Sequence, residues 1–168
     1  MRKMSLAVRV YQLADQYNIE NTKVHTIVSS YIEYCKSLVL SGYRVDIIGL
    51  ASVIPDVEVS DYNFTLAYEC RELSKTLGLP AHTVYVIIQE YINSLISDVL
   101  SGKPIEMRGL LCVAPLFNEE GVVVKARSSI SSQLKKKLDD MNTSVTSMRV
   151  HTHKLLKYNI RMSGDADD

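Results

Sequence analysis

The feature that most constrains this chain is that it states itself twice. "SGYRVDIIGLASVIPD" (Ser41 to Asp56) is followed sixty residues later by "SGKPIEMRGLLCVAPL" (Ser101 to Leu116). A slide of 60 aligns residues 5–56 with 65–116 without a gap, and 16 of those 52 positions are identical. They include Leu6/Leu66, Leu13/Leu73, Val24/Val84, Ile27/Ile87, Tyr31/Tyr91, Gly42/Gly102, Gly49/Gly109 and Pro55/Pro115. A gap-free match of this length marks a duplication, so the fold must accommodate two copies of one small unit.

The pattern inside each copy is physical. Leu6, Val10, Leu13, Ala14 and Tyr17, and likewise Leu66, Cys70, Leu73 and Leu77, recur at helical steps. Asn18 and Gly78 stand where each short helix must stop, and both residues readily take the left-handed conformation of a helix end. A longer helix follows, striped by Val24, Ile27, Val28, Tyr31, Cys35, Leu38 and Val39 in one copy and by Val84, Ile87, Ile88, Tyr91, Leu95 and Val99 in the other. Ser41-Gly42 and Ser101-Gly102 end it. The period then changes to two at Val45 and Ile47, and at Ile105 and Met107, predicting a short strand. Gly49 and Gly109 predict a tight turn into a second strand, "LASVIPDVEV" or "LLCVAPLF". "NEEG" reads as a hairpin turn, with Val122 to Lys125 returning. Ser128 and Ser129 are then expected to cap a third, basic helix, "ISSQLKKKLDDM". The fold class read from this is α+β. The expected domains are repeat 1 over 1–60, repeat 2 over 61–141 and a C-terminal extension over 142–168.

The order of elements resembles that of the HU/IHF family of small DNA-architectural proteins. Gly109-Leu110-Leu111-Cys112-Val113 and Gly49-Leu50-Ala51-Ser52-Val53 stand where that family usually carries Gly-Phe-Gly-x-Phe after an apolar strand. "VKARSSISSQLKKKL" is similar to the family's closing strand and helix. The resemblance implies an intertwined dimer, which two copies in one chain could supply alone. It also implies a long basic β-arm, and here the sequence departs: the joints are "NEEG" and about "EVSD", short and acidic. No residue inherits the arm's arginines or its wedging proline. Duplicated, armless chains of this kind resemble structural proteins of tailed bacteriophages, crAss-like phages among them. The expectation is therefore a non-enzymatic virion protein, such as a neck or tail ring component, located in the virion and in the host cytoplasm during assembly. Its expected partners are copies of itself and other virion proteins, with weak DNA contact, no membrane and no small-molecule substrate. The alternative is a DNA-binding or DNA-packaging protein.

Charge bears on that alternative. The 168 residues balance 19 Lys and Arg against 19 Asp and Glu, but residues 1–124 hold 10 basic and 14 acidic side chains. The cations concentrate over 125–161, where Lys135, Lys136, Lys137, Arg149, Lys154, Lys157 and Arg161 are candidate contacts to an anion or a partner. A solvated helix face is the competing reading for "QLKKKL". The Glu119-Glu120 pair reads as a solubilising turn. The three cysteines, Cys35, Cys70 and Cys112, fall in apolar patterns without CxxC spacing, and core packing is expected of them. His151 and His153 would share a face of a strand, but no third metal ligand stands nearby in sequence. No nucleophile and base pair or phosphate loop is evident, so neither enzyme activity nor a cofactor is expected.

Residues 142–168 lie outside the repeat. Val145, Met148, Val150, Leu155, Leu156, Tyr158, Ile160 and Met162 are too apolar for a disordered tail. "MRVHTH" and "KYNIRM" alternate as strands do. An isolated strand must find an edge. The reading favoured is strand addition to a neighbouring subunit, with packing on the chain's own body as the alternative.

Overall fold

The computed structural model describes residues 3–56, 64–140 and 148–165. The first repeat folds as α1 (Leu6–Tyr17), α2 (Asn21–Leu40), β1 (Val45–Ile47) and β2 (Ala51–Pro55). The second repeats that order as α3 (Leu66–Leu77), α4 (Ala81–Leu100), β3 (Ile105–Met107) and β4 (Leu111–Phe117), then adds β5 (Val123–Ile130) and α5 (Ser132–Asp140). β6 (Met148–Thr152) and α6 (Lys154–Asp165) follow. The class is α+β, with two antiparallel three-stranded sheets in the orders β1-β2-β6 and β3-β4-β5.

The helix boundaries fall where the side chains dictate. Ser5 Oγ accepts from the Val8 N–H and Thr65 Oγ1 from the Tyr68 N–H, each satisfying an otherwise orphan donor of the first turn. Asn18 (φ 51°) and Gly78 (φ 66°) take the left-handed conformation at the far ends. The N–H groups of Ile19 and Leu79 then reach back to the carbonyls of Ala14 and Ser74, closing the stop expected from sequence. Gly49 (φ 84°) and Gly109 (φ 76°) occupy the hairpin turns, where Leu50 N–H donates to Ile47 and Leu110 N–H to Met107. A left-handed φ at that turn position strains any residue with a Cβ. "NEEG" is the tip of the β4–β5 hairpin, and Asn118 Oδ1 accepts from the N–H groups of Glu120 and Val122. The returning strand is longer than expected. It runs on to Ile130, so Ser128 and Ser129 lie within β5, and Ser131 caps α5 by accepting from Gln133 N–H. The first copy's expected joint near "EVSD" lies outside the described residues.

The C-terminal extension corrects the expectations placed on it. β6 adds to β2 of the same chain in the register Ala51↔Thr152, as β5 adds to β4 in the register Leu111↔Ile130. The carbonyl of Leu50 accepts from His153 N–H at 3.0 Å, and that of Leu110 from Ser131 N–H at 3.0 Å. The extension thus supplies the first repeat with the third strand and third helix that β5 and α5 supply to the second, from beyond that second repeat in sequence. Its residues match those of β5 and α5 at an offset of 22. Leu156 and Ile160 are buried where Leu134 and Leu138 are buried in the other unit. "KYNIRM" is part of α6 and not a strand: Tyr158 and Met162 are exposed and Ile160 is buried, as one helix face requires. The edge of β2 is filled from within, so strand addition to a neighbour through this segment is not what holds it. Burial of Met148, Leu156 and Ile160 alone stabilises the arrangement by about 5–9 kcal/mol, at ~1.5–3 kcal/mol per large apolar side chain.

The two units share one core. Tyr31, Ile27, Tyr91, Ile87 and Leu95 from the two long helices are almost wholly buried in a single cluster. A Cβ at Gly49 would meet Ile96 Cδ1 at 3.1 Å and Leu155 Cδ2 at 3.6 Å. A Cβ at Gly109 would meet Lys36 Nζ at 2.9 Å and Gln133 Oε1 at 3.3 Å. Lys36 and Ile96 are equivalent, as are Gln133 and Leu155, so each turn lies over the other unit's long helix. The units are related by a pseudo-two-fold exchange of contacts. Gly42 (φ 92°) and Gly102 (φ 91°) end the long helices at matching places.

Candidate functional site

The pseudo-symmetry makes a difference between the units informative, because backbone positions are matched and only side chains change. The first difference is a polar cluster in unit 1. His153, at the start of α6, accepts from the Gly49 N–H at Nδ1 (3.1 Å), and its Nε2 lies 2.6 Å from Ser52 Oγ. Ser52 also bonds to Asp46 Oδ1, which in turn accepts from Arg44 Nε at 3.0 Å. The His153 ring, whose Nε2 lies 3.8 Å from Asp46 Oδ1, and then the Ser52 and Arg44 bonds hold the Asp46 carboxyl far below its ordinary range. Asp, Ser and His together invite a comparison with nucleophile triads, but the order is wrong for one. In a triad the imidazole sits between the other two and takes the hydroxyl proton. Here Nδ1 is occupied as an acceptor, so Nε2 carries the proton and donates to Ser52, which donates onward to Asp46. The imidazole therefore does not take the Ser52 proton, and the Ser52 side chain is wholly buried. The cluster is a lock that ties α6 to β1, β2 and the Gly49 turn. In unit 2 the equivalent residues are Glu106, Cys112 and Ser131, and Glu106 bonds instead to Lys3.

The second difference is buried between the helices. Arg9 of α1 reaches Asp98 at 2.7 Å and Ser94 at 3.1 Å on α4, with little exposure. Its equivalent on α3 is Glu69, whose matching partners are Tyr34 and Leu38. Glu69 is 2% exposed and has no cation partner among the described residues. Burial, helped by the charge of Asp46, pushes its carboxyl up to about 8. Around it, burial also pushes the Tyr34 hydroxyl and the Cys70 thiol up to about 12, and Cys35 well above its usual value. Cys35 and Cys70 are buried and Cys112 half-buried, each with a raised thiol, the opposite of an activated nucleophile. The Tyr31 hydroxyl is wholly buried beside Cys35, and burial pushes it well above its usual value.

The third difference lies on the surface. Ile48, Leu155, Tyr158 and Met162 are 57, 53, 52 and 47% exposed. Leu155, Tyr158 and Met162 fall on one face of α6, and Leu155 abuts the Gly49 turn that carries Ile48. Their equivalents in unit 2 are Arg108, Gln133, Lys136 and Asp140, all exposed and polar. One unit thus presents an apolar face where its twin presents a charged one.

The basic residues expected to act together are divided by the fold. Lys135, Lys136 and Lys137 are exposed on α5 of unit 2, whereas Arg149 is on β6 and Lys154, Lys157 and Arg161 on α6, completing unit 1. His151 is exposed on β6 while His153 is in the polar lock, so they share no site. Among the described residues no group of three His, Cys, Asp or Glu is placed to hold a metal, and no helix is long and apolar enough to cross a membrane. Glu119 and Glu120 are exposed at the hairpin tip. Sequence reasoning missed the lock and the apolar face. The signal was a second slide, by 22, that matches Arg127, Leu134 and Lys135 to Arg149, Leu156 and Lys157. Comparison with family models and with curated proteins finds no match.

Proposed function

We propose that the chain is a non-enzymatic structural protein: two HU/IHF-like units joined as a pseudo-dimer within one polypeptide, acting in assembly with copies of itself and with other virion proteins. A neck or tail ring of a tailed phage is the setting that fits this reading. The observation that carries it is the apolar face of Ile48, Leu155, Tyr158 and Met162, which the equivalent place in the other unit does not repeat. A protein that gained nothing from contact would have no reason to be apolar there while polar at the equivalent place, and clustered exposed apolar residues mark interaction sites. An apolar face at one of two equivalent places, and a polar one at the other, favours an ordered and directional assembly. The short acidic hairpin tip, and the split of the cations between α5 and α6, weigh against duplex DNA as the main partner.

Light scattering on the purified protein tests this. The wild type is expected to form multimers, and Tyr158→Glu with Met162→Glu to lower the mass while leaving the circular dichroism unchanged. A monomer at all concentrations whose hydrodynamics ignore the double variant would remove the face from the mechanism. Sub-micromolar, steeply salt-dependent binding of duplex DNA would favour the DNA-packaging alternative.

A further inference from the structure

A different face of α6 lines a cleft of about 990 Å³. Its other walls are the distal part of β5 and the end of β6, where β5 continues past β6 and runs over α6. Lys125, His151, Lys157 and Arg161 converge on it from these three elements, and among the described residues none of the four has an ion-pair partner. Among the described residues, Glu120 at the hairpin tip is the one acid in the lining. Between the cations the surface is aliphatic, through Val123, Val150 and Ile160. β5 and β6 are also the terminal strands of their sheets. Among the described residues each has one edge without a strand partner, and they approach each other at Ser128 and Thr152, whose hydroxyls are 2.7 Å apart.

We propose that this cleft binds an extended acidic polypeptide segment in which carboxylates alternate with aliphatic residues. The free edge of a terminal strand offers main-chain donors and acceptors to an extended backbone. Alternation sends one set of side chains to the aliphatic floor and the other to Lys125, Lys157 and Arg161. Single-stranded nucleic acid satisfies the charge, but its bases need broad aromatic surfaces to stack on, and among the described residues no Phe, Tyr or Trp lines the cleft.

The probe is a labelled peptide of alternating valine and glutamate, capped at both ends, titrated by fluorescence anisotropy into the full chain. Saturable binding is expected, weakening with salt. Lys157→Glu with Arg161→Glu should reduce the affinity at least about tenfold. Lys135→Glu, at the position on α5 equivalent to Lys157, should leave it within about twofold. The same peptide with lysine for glutamate should not bind. Three results would overturn the proposal: no saturation at millimolar peptide, equal affinity for the wild type and the Lys157/Arg161 variant, or tighter binding of an oligothymidylate of the same length. The Tyr158 and Met162 variants alter the opposite face of α6, so failure here and failure of the assembly reading are separable.

Discussion

Glu69→Gln isolates the cost of a buried carboxylate. In the folded chain its carboxyl is raised from 4.5 to about 8, with burial as the main cause. In the unfolded chain it ionises near its ordinary value. Between those two values the folded state keeps a proton that the unfolded state has released, so stability falls as pH rises. The slope is about 1.4 kcal/mol per pH unit. Over three and a half units the loss reaches about 5 kcal/mol, a large part of what a domain has to spare. The other groups facing Glu69 do not confuse the window. Tyr31, Tyr34 and Cys35 from α2 and Cys70 from α3 are all pushed upward, and Asp46 from β1 stays ionised throughout. Glutamine matches the protonated acid in shape and cannot ionise. Urea unfolding followed by circular dichroism at intervals from about pH 5 to about pH 9 should show the two proteins within about 1 kcal/mol at the acid end. The variant should be the more stable by several kcal/mol at the alkaline end. A difference curve flat across the range would refute the argument, as would a variant less stable than the wild type at pH 9.

The remaining expectations follow from the same geometry. Ending the chain at Asn142 removes β6 and α6, and the loss of about 5–9 kcal/mol of apolar burial should leave a chain without cooperative unfolding, read by urea titration; a folded truncated protein would contradict the pairing of β6 with β2. Gly109→Val should lower the unfolding free energy by about 2 kcal/mol or more, since φ is +76°, a backbone conformation a β-branched residue rarely adopts; an unchanged melting temperature would show the turn to be tolerant. Asp46→Asn should cost about 1–3 kcal/mol at neutral pH. The wild-type carboxyl is depressed, so its contribution is present above the ordinary carboxylate value and lost as pH falls below it; the variant should therefore lose less stability on acidification, measured as the shift in urea midpoint.

How much of this was legible in the sequence depended on distance along the chain. The helix stops at Asn18 and Gly78 and the turns at Gly49 and Gly109 are decided by a residue and its immediate neighbours, and the duplication stated each twice. The burial of Tyr31 and Tyr91 followed from a long, regular stripe. The third strand and helix of unit 1 were not legible from the 60-residue slide, because the second repeat stands between them and their sheet. α6 was hard to tell from a strand because only Leu156 and Ile160 anchor it deeply, while its exposed face is itself apolar. The polar lock needs Asp46, Ser52 and His153 brought together, and no local pattern announces that. β5 outran its expected end because much of it is half-exposed, which blurs the alternation.

The displaced strand has a consequence for the order in which the protein can be made. Pro55 and Met148 are partners 93 positions apart, whereas Leu111 and Ile130 are separated by 19. At ~5–20 residues per second on the ribosome, the first unit emerges and then waits about 5–20 s for the strand that closes it. The second unit can complete its sheet in the meantime. For that interval β2, all five of whose residues end up buried, offers an open edge to whatever strand is nearby. Closure of the first unit therefore waits on β6: a chain interrupted before it leaves the first sheet, and the core that both units share, incomplete.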